Sequence, residues 1–380
     1  MFRKMPILLL LVILVIALLN PFIPLLWKSF FYALSLTIKS VIIFVLPLLI
    51  FMLLFKTMAT LTSKATKIIF LLLGAIVISN FCSTILSYFV GHGVYTLDLS
   101  LSLPRETEGL QPLWNFSLPK WIGNDIALFA GLFLGILLSR FRPEVAKRVA
   151  LSFEGFVKVL LRFLMALIPI FIAGFIMKLI QDKVLENMIV SYARIFAIVG
   201  LAQFTYIFFL YFSLNNFQIK RALECIKNML PATISGFGSM SSAAALPLTL
   251  IATEKNTEEN LARLVIPATV NVHLIGDCLA IPIFAFAVLK TFGLAEPTFL
   301  TYCVFAFYFV IAKFSVAAIP GGGIIVMLPI LESVLGFHSS MSSLITALYI
   351  FFDPVITAAN ITGNGAFALL IHRIRQKILT

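Results

Sequence analysis

Charge is what this sequence has least of. Only 12% of its 380 residues are Asp, Glu, Lys or Arg, about half the share a soluble domain carries. With 61% hydrophobic residues, 38 phenylalanines and a mean hydropathy of +1.08, the chain cannot cover a water-facing surface. Cysteine is scarce too: Cys82, Cys225, Cys278 and Cys303 form no CxxC pair, which leaves no sign of a disulfide framework or a zinc site. No phosphate-binding Gly-x-x-x-x-Gly-Lys loop is present, so nothing points to an ATP-driven process. Neither His-Glu-x-x-His, nor Gly-x-Ser-x-Gly on an apolar segment, nor a paired catalytic carboxylate motif occurs. An enzyme is therefore not expected, nor a cofactor. The net charge of +12 does not imply nucleic acid, because the basic residues sit between apolar segments rather than along one face.

What is there is a series of apolar segments, at about 5–27, 40–62, 68–92, 123–139, 150–180 and 187–214, then about 228–252, 262–293, 298–337 and 343–372. At roughly 20 residues per crossing, this predicts an all-α polytopic membrane protein with about eight transmembrane helices. Met1-Phe2-Arg3-Lys4 and the run behind it resemble a signal peptide, but the run is too long for one and is read as a retained first helix. The polar stretch of about 93–122 reads as an external loop. Basic clusters at Arg3 and Lys4, Lys56 to Lys67, Arg140 to Arg148, Lys220 to Lys227 and His372 to Lys377 predict cytoplasmic ends at an inner, or cell, membrane. That alternation requires 228–252 and 298–337 each to enter and return as re-entrant hairpins. Their turns fall at Gly236-Phe237-Gly238-Ser239-Met240-Ser241-Ser242 and Ala318-Ile319-Pro320-Gly321-Gly322-Gly323. Broken backbone at membrane depth is tolerated only where it is buried or lines a cavity, so the hairpins mark a transport site. Two kinked spanning helices are the competing interpretation.

Three motifs in order resemble the dicarboxylate/amino acid:cation symporters, which include the glutamate transporters. They are Ser241-Ser242-Ala243-Ala244-Ala245-Leu246-Pro247-Leu248-Thr249, Ile319-Pro320-Gly321-Gly322-Gly323, and Asp353-x-x-x-Thr357-x-x-Asn360-x-Thr362-Gly363. The resemblance implies a homotrimer of elevator type that symports a small amino acid or carboxylate with a cation. Scaffold helices would fall in 1–66 and 96–185, and the transport domain in 67–95 and 186–380. It implies that Asp353 holds a substrate ammonium and that Asn360, Thr357, Ser241, Ser242 and the backbone around Ile319 and Gly321 serve the rest of the substrate. Asp353, Thr357 and Asn360 also share a helix face by spacing alone.

Departures from the family pattern matter as much. Acid-specific relatives carry arginine where this chain has Ile356, or just before the hairpin serines, where it has Met240. No bidentate partner for a side-chain carboxylate replaces it, which predicts a neutral substrate. The family's seventh-helix sodium motif aligns with His273-Leu274-Ile275-Gly276-Asp277, so Ile275 stands at its aspartate, and Asn364 stands at a second one. Sodium or a proton is the expected coupling ion. Three hypotheses follow: proton coupling through His273 and Asp277 on one helix face, a fixed Lys313 ammonium in place of a cation, or a structural Asp277–Lys313 pair. The alternative within the resemblance is a sodium:dicarboxylate or glutamate symporter with the family's ordinary chemistry. A channel and a non-transporting amino-acid sensor remain as other classes; a channel would show rings of like polar residues, and none is evident.

Overall fold

The computed structural model describes residues 11–12, 14–16, 18–63, 67–97, 110–119, 121–122, 124–181, 184–316 and 322–379. Among them every regular element is helical. After a 3-10 turn at Asn20–Phe22 come α1 (Leu25–Ser63), α2 (Lys67–Thr96), α3 (Asn124–Phe141), α4 (Pro143–Gln181) and α5 (Val184–Leu214). They are followed by α6 (Ile219–Ser239), α7 (Ser242–Glu254), α8 (Glu259–Thr269) and α9 (Ile275–Thr291). The remainder are α10 (Phe299–Lys313), α11 (Gly322–Leu335) and α12 (Ser339–Leu379). Windows within α2, α5 and α12 are long and apolar enough to cross a membrane by length and composition.

The chain divides into two compact units, one of residues 1–65, 99–193 and 291–294, the other of 66–98, 194–290 and 295–380. In the first, α1 packs along α3 and α4. Ser35 Oγ donates to the Phe171 carbonyl at 2.7 Å, and Phe51, Phe55 and Phe153 meet edge-on or tilted at 5.3–6.2 Å. Residues 110–119 and 121–122 carry no helix, as a loop would. They are strapped to α1 by Trp114 Nε1 on Thr37 Oγ1, Leu118 N on Ser40 Oγ and Trp121 Nε1 on the Phe44 carbonyl. The helix boundary expected between 27 and 40 does not exist. Without Gly or Pro in that stretch α1 runs straight through, and the break falls earlier, at Asn20-Pro21 to Pro24.

In the second unit α6 and α7 form a closed hairpin. Met240 ends α6 in the left-handed region (φ 48°, ψ 33°), its N–H on the Gly236 carbonyl, and Ser241 caps α7 by accepting from Ala244 N. At the open end Asn256 donates to the Cys225 carbonyl at 2.9 Å and Asn228 to Asn256 Oδ1 at 2.8 Å, so the chain returns beside its own start. Helices α10 and α11 also pack on each other; the expected turn residues Ile319, Pro320 and Gly321 lie outside the described residues. One break was not expected. The apolar run 262–293 is no single helix: Val270 to Leu274 is non-helical, between α8 and α9.

Candidate functional site

The break at 270–274 leaves backbone groups without helical partners, and side chains from elsewhere in the unit satisfy them. Asn80 donates to the Val272 carbonyl at 2.7 Å and accepts from Leu274 N at 3.2 Å. Asn360 Oδ1 accepts from Gly276 N at 2.8 Å and Asp277 N at 3.4 Å, a side-chain cap on the new N-terminus. Asn80 begins a buried polar stripe on α2 with Ser83, Thr84 and Ser87, at helical spacing. Ser87 and the Thr84 carbonyl meet the Tyr302 hydroxyl at 2.6 and 2.8 Å.

A small cavity, open at its mouth, lies where the hairpin tip, this break and α12 meet. Met240 and Ser242 line it from the tip, Val270, Asn271, Leu274 and Asp277 from the break, and Val316 and Gly323 from either side of the second turn. Tyr349, Asp353, Thr357 and Asn360 line it from α12. Three of those four follow the spacing read from the sequence, since residues four and seven apart share a helix face. Thr357 Oγ1 donates to Asp353 Oδ1 at 3.2 Å. Among the described residues no Arg, Lys or His lines the cavity, and residues 317–321, Ala-Ala-Ile-Pro-Gly, contain none.

Asp277 is held by three side chains at this wall. Its Oδ1 accepts from the Tyr349 hydroxyl at 2.8 Å and lies 3.3 Å from Lys313 Nζ, and its Oδ2 accepts from Asn360 Nδ2 at 2.7 Å. Lys313 is fully buried, with Nζ 4.4 Å over the Phe309 ring. A Cβ on Gly323 would strike both Asp277 Oδ1 and the Tyr349 hydroxyl, so only glycine lets α11 approach this pair. His273 lies apart from it. Because α9 starts at Ile275, the four-residue spacing does not place His273 and Asp277 on one helix face. The His273 ring instead bridges Ser79 Oγ (Nε2, 2.9 Å) and Asn364 Oδ1 (Nδ1, 2.9 Å), against Phe367.

Residues 5–374 match the model of the sodium:dicarboxylate symporter family. The chain belongs to that family. Its members are carriers and not enzymes, and the chain is an integral membrane protein. Similar curated proteins are excitatory amino acid transporter 1 of Rattus norvegicus, 28% identical over 155 residues, and excitatory amino acid transporter 4 of Mus musculus, 29% over 158. A third is the putative sodium-dependent excitatory amino acid transporter glt-6 of Caenorhabditis elegans, 27% identical over 161 residues. These matches take in 40–41% of this chain and 28–29% of each relative's length.

Within this family member the predicted site residues divide. Ser242, Asp277, Asp353, Thr357 and Asn360 come together at the cavity. Ser241 caps α7 beside it. Ile356 is fully buried and does not line it, and Ile319 and Gly321 lie outside the described residues. Lys313 stands behind Asp277, while His273 and Asn364 bond to each other. Asn271, which a gapped alignment would put at the asparagine of the seventh-helix motif, also lines the cavity, whereas Tyr349, Asn80 and Gln203 (which donates to the Gly276 carbonyl at 2.9 Å) went unread. The one signal for them was polarity within apolar runs, since a buried polar side chain needs a partner.

A hard cation asks for oxygen ligands. Among the described residues no three His, Cys, Asp or Glu side chains gather. Of the two carboxylates on the cavity, Asp277 already faces an ammonium.

Proposed function

We propose that this chain is a secondary active carrier that symports a small neutral amino acid with a cation, using the unit-2 cavity as its binding pocket. The observation that carries this is the lining itself: two acids, Asp277 and Asp353, with hydroxyl and amide groups and no basic side chain. Asp277 faces the Lys313 ammonium, and Asp353, on the α12 face it shares with Thr357 and Asn360, is the anion we assign to a substrate ammonium in a low-dielectric wall. The substrate carboxylate would take donors from Ser242, the second N–H of Asn360 and backbone N–H groups at the start of α7. A second, side-chain carboxylate would meet no cation, so glutamate and aspartate would be poor substrates. Family membership supports the elevator division of labour, with unit 2 as the moving part, unit 1 as scaffold, three copies per assembly and both termini cytoplasmic.

Proton coupling through His273 is the second reading, since the ring's contacts can be made in either protonation state. With Asn364 Oδ1 on Nδ1, a neutral His273 accepts from Ser79 at Nε2, whereas a charged ring donates to it. Only the Ser79 hydroxyl need rotate between the two. Counterflow tests the whole reading: vesicles preloaded with an unlabelled neutral amino acid should accumulate the labelled form, and Asp353→Asn should abolish the accumulation. Binding without counterflow would indicate a sensor.

A further inference from the structure

Buried ion pairs are poor stabilisers, because desolvating both charges costs about what their attraction returns. The Asp277–Lys313 pair is also lopsided. Asp277 accepts two hydrogen bonds besides facing the ammonium, so its oxygens are satisfied. Lys313 Nζ is fully buried, and among the described residues none of its three N–H groups has a hydrogen-bond acceptor; a carboxylate oxygen at 3.3 Å and an aromatic face at 4.4 Å lie against it. Ser315 Oγ, in the turn that follows, is likewise buried without a hydrogen-bond partner. An ammonium anchored for stability alone would be expected to have its donors filled. This one is held by charge, against a carboxylate that forms part of the cavity wall.

We infer that the Lys313 ammonium is a resident cation: it neutralises Asp277 as a dissociable monovalent ion would, and so removes one ion-binding event from the transport cycle. The family is described by its sodium, yet here the cavity carboxylate that a sodium ion could use faces a cation attached to α10 through its own side chain. A tethered charge neither leaves nor equilibrates with either side of a membrane. Asp277 therefore takes no part in sensing the ion gradient, and any coupling ion binds elsewhere. The transport consequence rests on the carrier reading above; the charge substitution does not.

The test creates a vacancy and asks what fills it. In purified Lys313→Ala the freed space faces an uncompensated carboxylate. Thermal unfolding without any amino acid should fall by roughly 10 °C in choline chloride and recover in saturating sodium chloride or ethylammonium chloride. Wild type should gain no comparable increment from either salt. Asp277→Asn/Lys313→Met, which removes both charges and fills the space, should be stable in all three salts. A Lys313→Ala protein no more folded in sodium or ethylammonium than in choline overturns the inference, as does a double variant that keeps the single variant's salt response. Because this readout uses no substrate, it separates from failure of the carrier reading, which would show as absent counterflow in wild type. In proteoliposomes, Lys313→Ala uptake should gain an additional sodium dependence of at least tenfold.

Discussion

The two units spend their polar residues differently. Among the described residues, unit 1 buries few: Asn20, Lys28, Ser29, Ser35, Ser139 and Thr291. Several of these serve helix packing, as Ser35 does on the Phe171 carbonyl and Ser139 on the Ala59 carbonyl. Unit 2 buries His273, Asp277, Lys313 and Asp353, together with a network of amides and hydroxyls around a break in its own backbone. Burying ionisable groups in an apolar chain is costly and marks function. Among the described residues the buried ionisable side chains gather mainly in unit 2, which supports the proposed roles of unit 1 as scaffold and unit 2 as carrier of the site.

Substitutions can break or sharpen that contrast. The largest effect is expected at Asp353→Asn, which should weaken substrate binding by on the order of 100-fold, the cost of removing one partner of a desolvated charge contact; equilibrium binding to purified protein measures it, with helicity unchanged by circular dichroism. Asp277→Ala should cost about 3–5 kcal/mol of stability, because Lys313 is left buried and unpaired, and thermal melts would register it. A pair of glycine changes then separates the units. In unit 1, Gly174→Ala drives a methyl group into the Phe31 carbonyl and Ser35 Oγ, and should lower stability by about 1–3 kcal/mol while sparing affinity. In unit 2, Gly323→Ala strikes Asp277 and Tyr349 and should lower affinity about tenfold or more for a similar or smaller stability loss. Equal effects of the two on affinity would dissolve the distinction. Smallest of all, Ser35→Ala should cost about 1 kcal/mol and leave uptake kinetics intact.

Much of this was legible in the sequence where local chemistry governs. Glycine and serine at 236–242 announced the first hairpin tip, because few other residues break an apolar helix so sharply. Asp353, Thr357 and Asn360 could be placed on one face because α12 is unbroken through them. Other features were decided by tertiary contacts. The break at 270–274 sits among Val270, Val272 and Leu274, which look helical or extended equally well; what holds it open is Asn80 on α2 and Asn360 on α12. The Asp277–Lys313 pair was one of three readings left open, and nothing in spacing could choose among them. Helix α1 misled in the opposite way: Lys28, Ser29, Ser35 and Lys39 look like a polar gap, but polarity without Gly or Pro does not end a helix. Lys28 instead reaches Gln181 Oε1 at 2.8 Å within unit 1.

In the proposed function the unit-2 cavity takes a neutral amino acid through Asp353, and its described lining holds no counter-charge for an acidic side chain. The most direct measurement is uptake of labelled neutral and acidic amino acids into proteoliposomes, with sodium and proton gradients imposed separately, in wild type and Asp353→Asn. The account predicts gradient-driven uptake of a neutral substrate that disappears in the variant. Sodium-driven uptake of glutamate or aspartate, undiminished in Asp353→Asn, would contradict it.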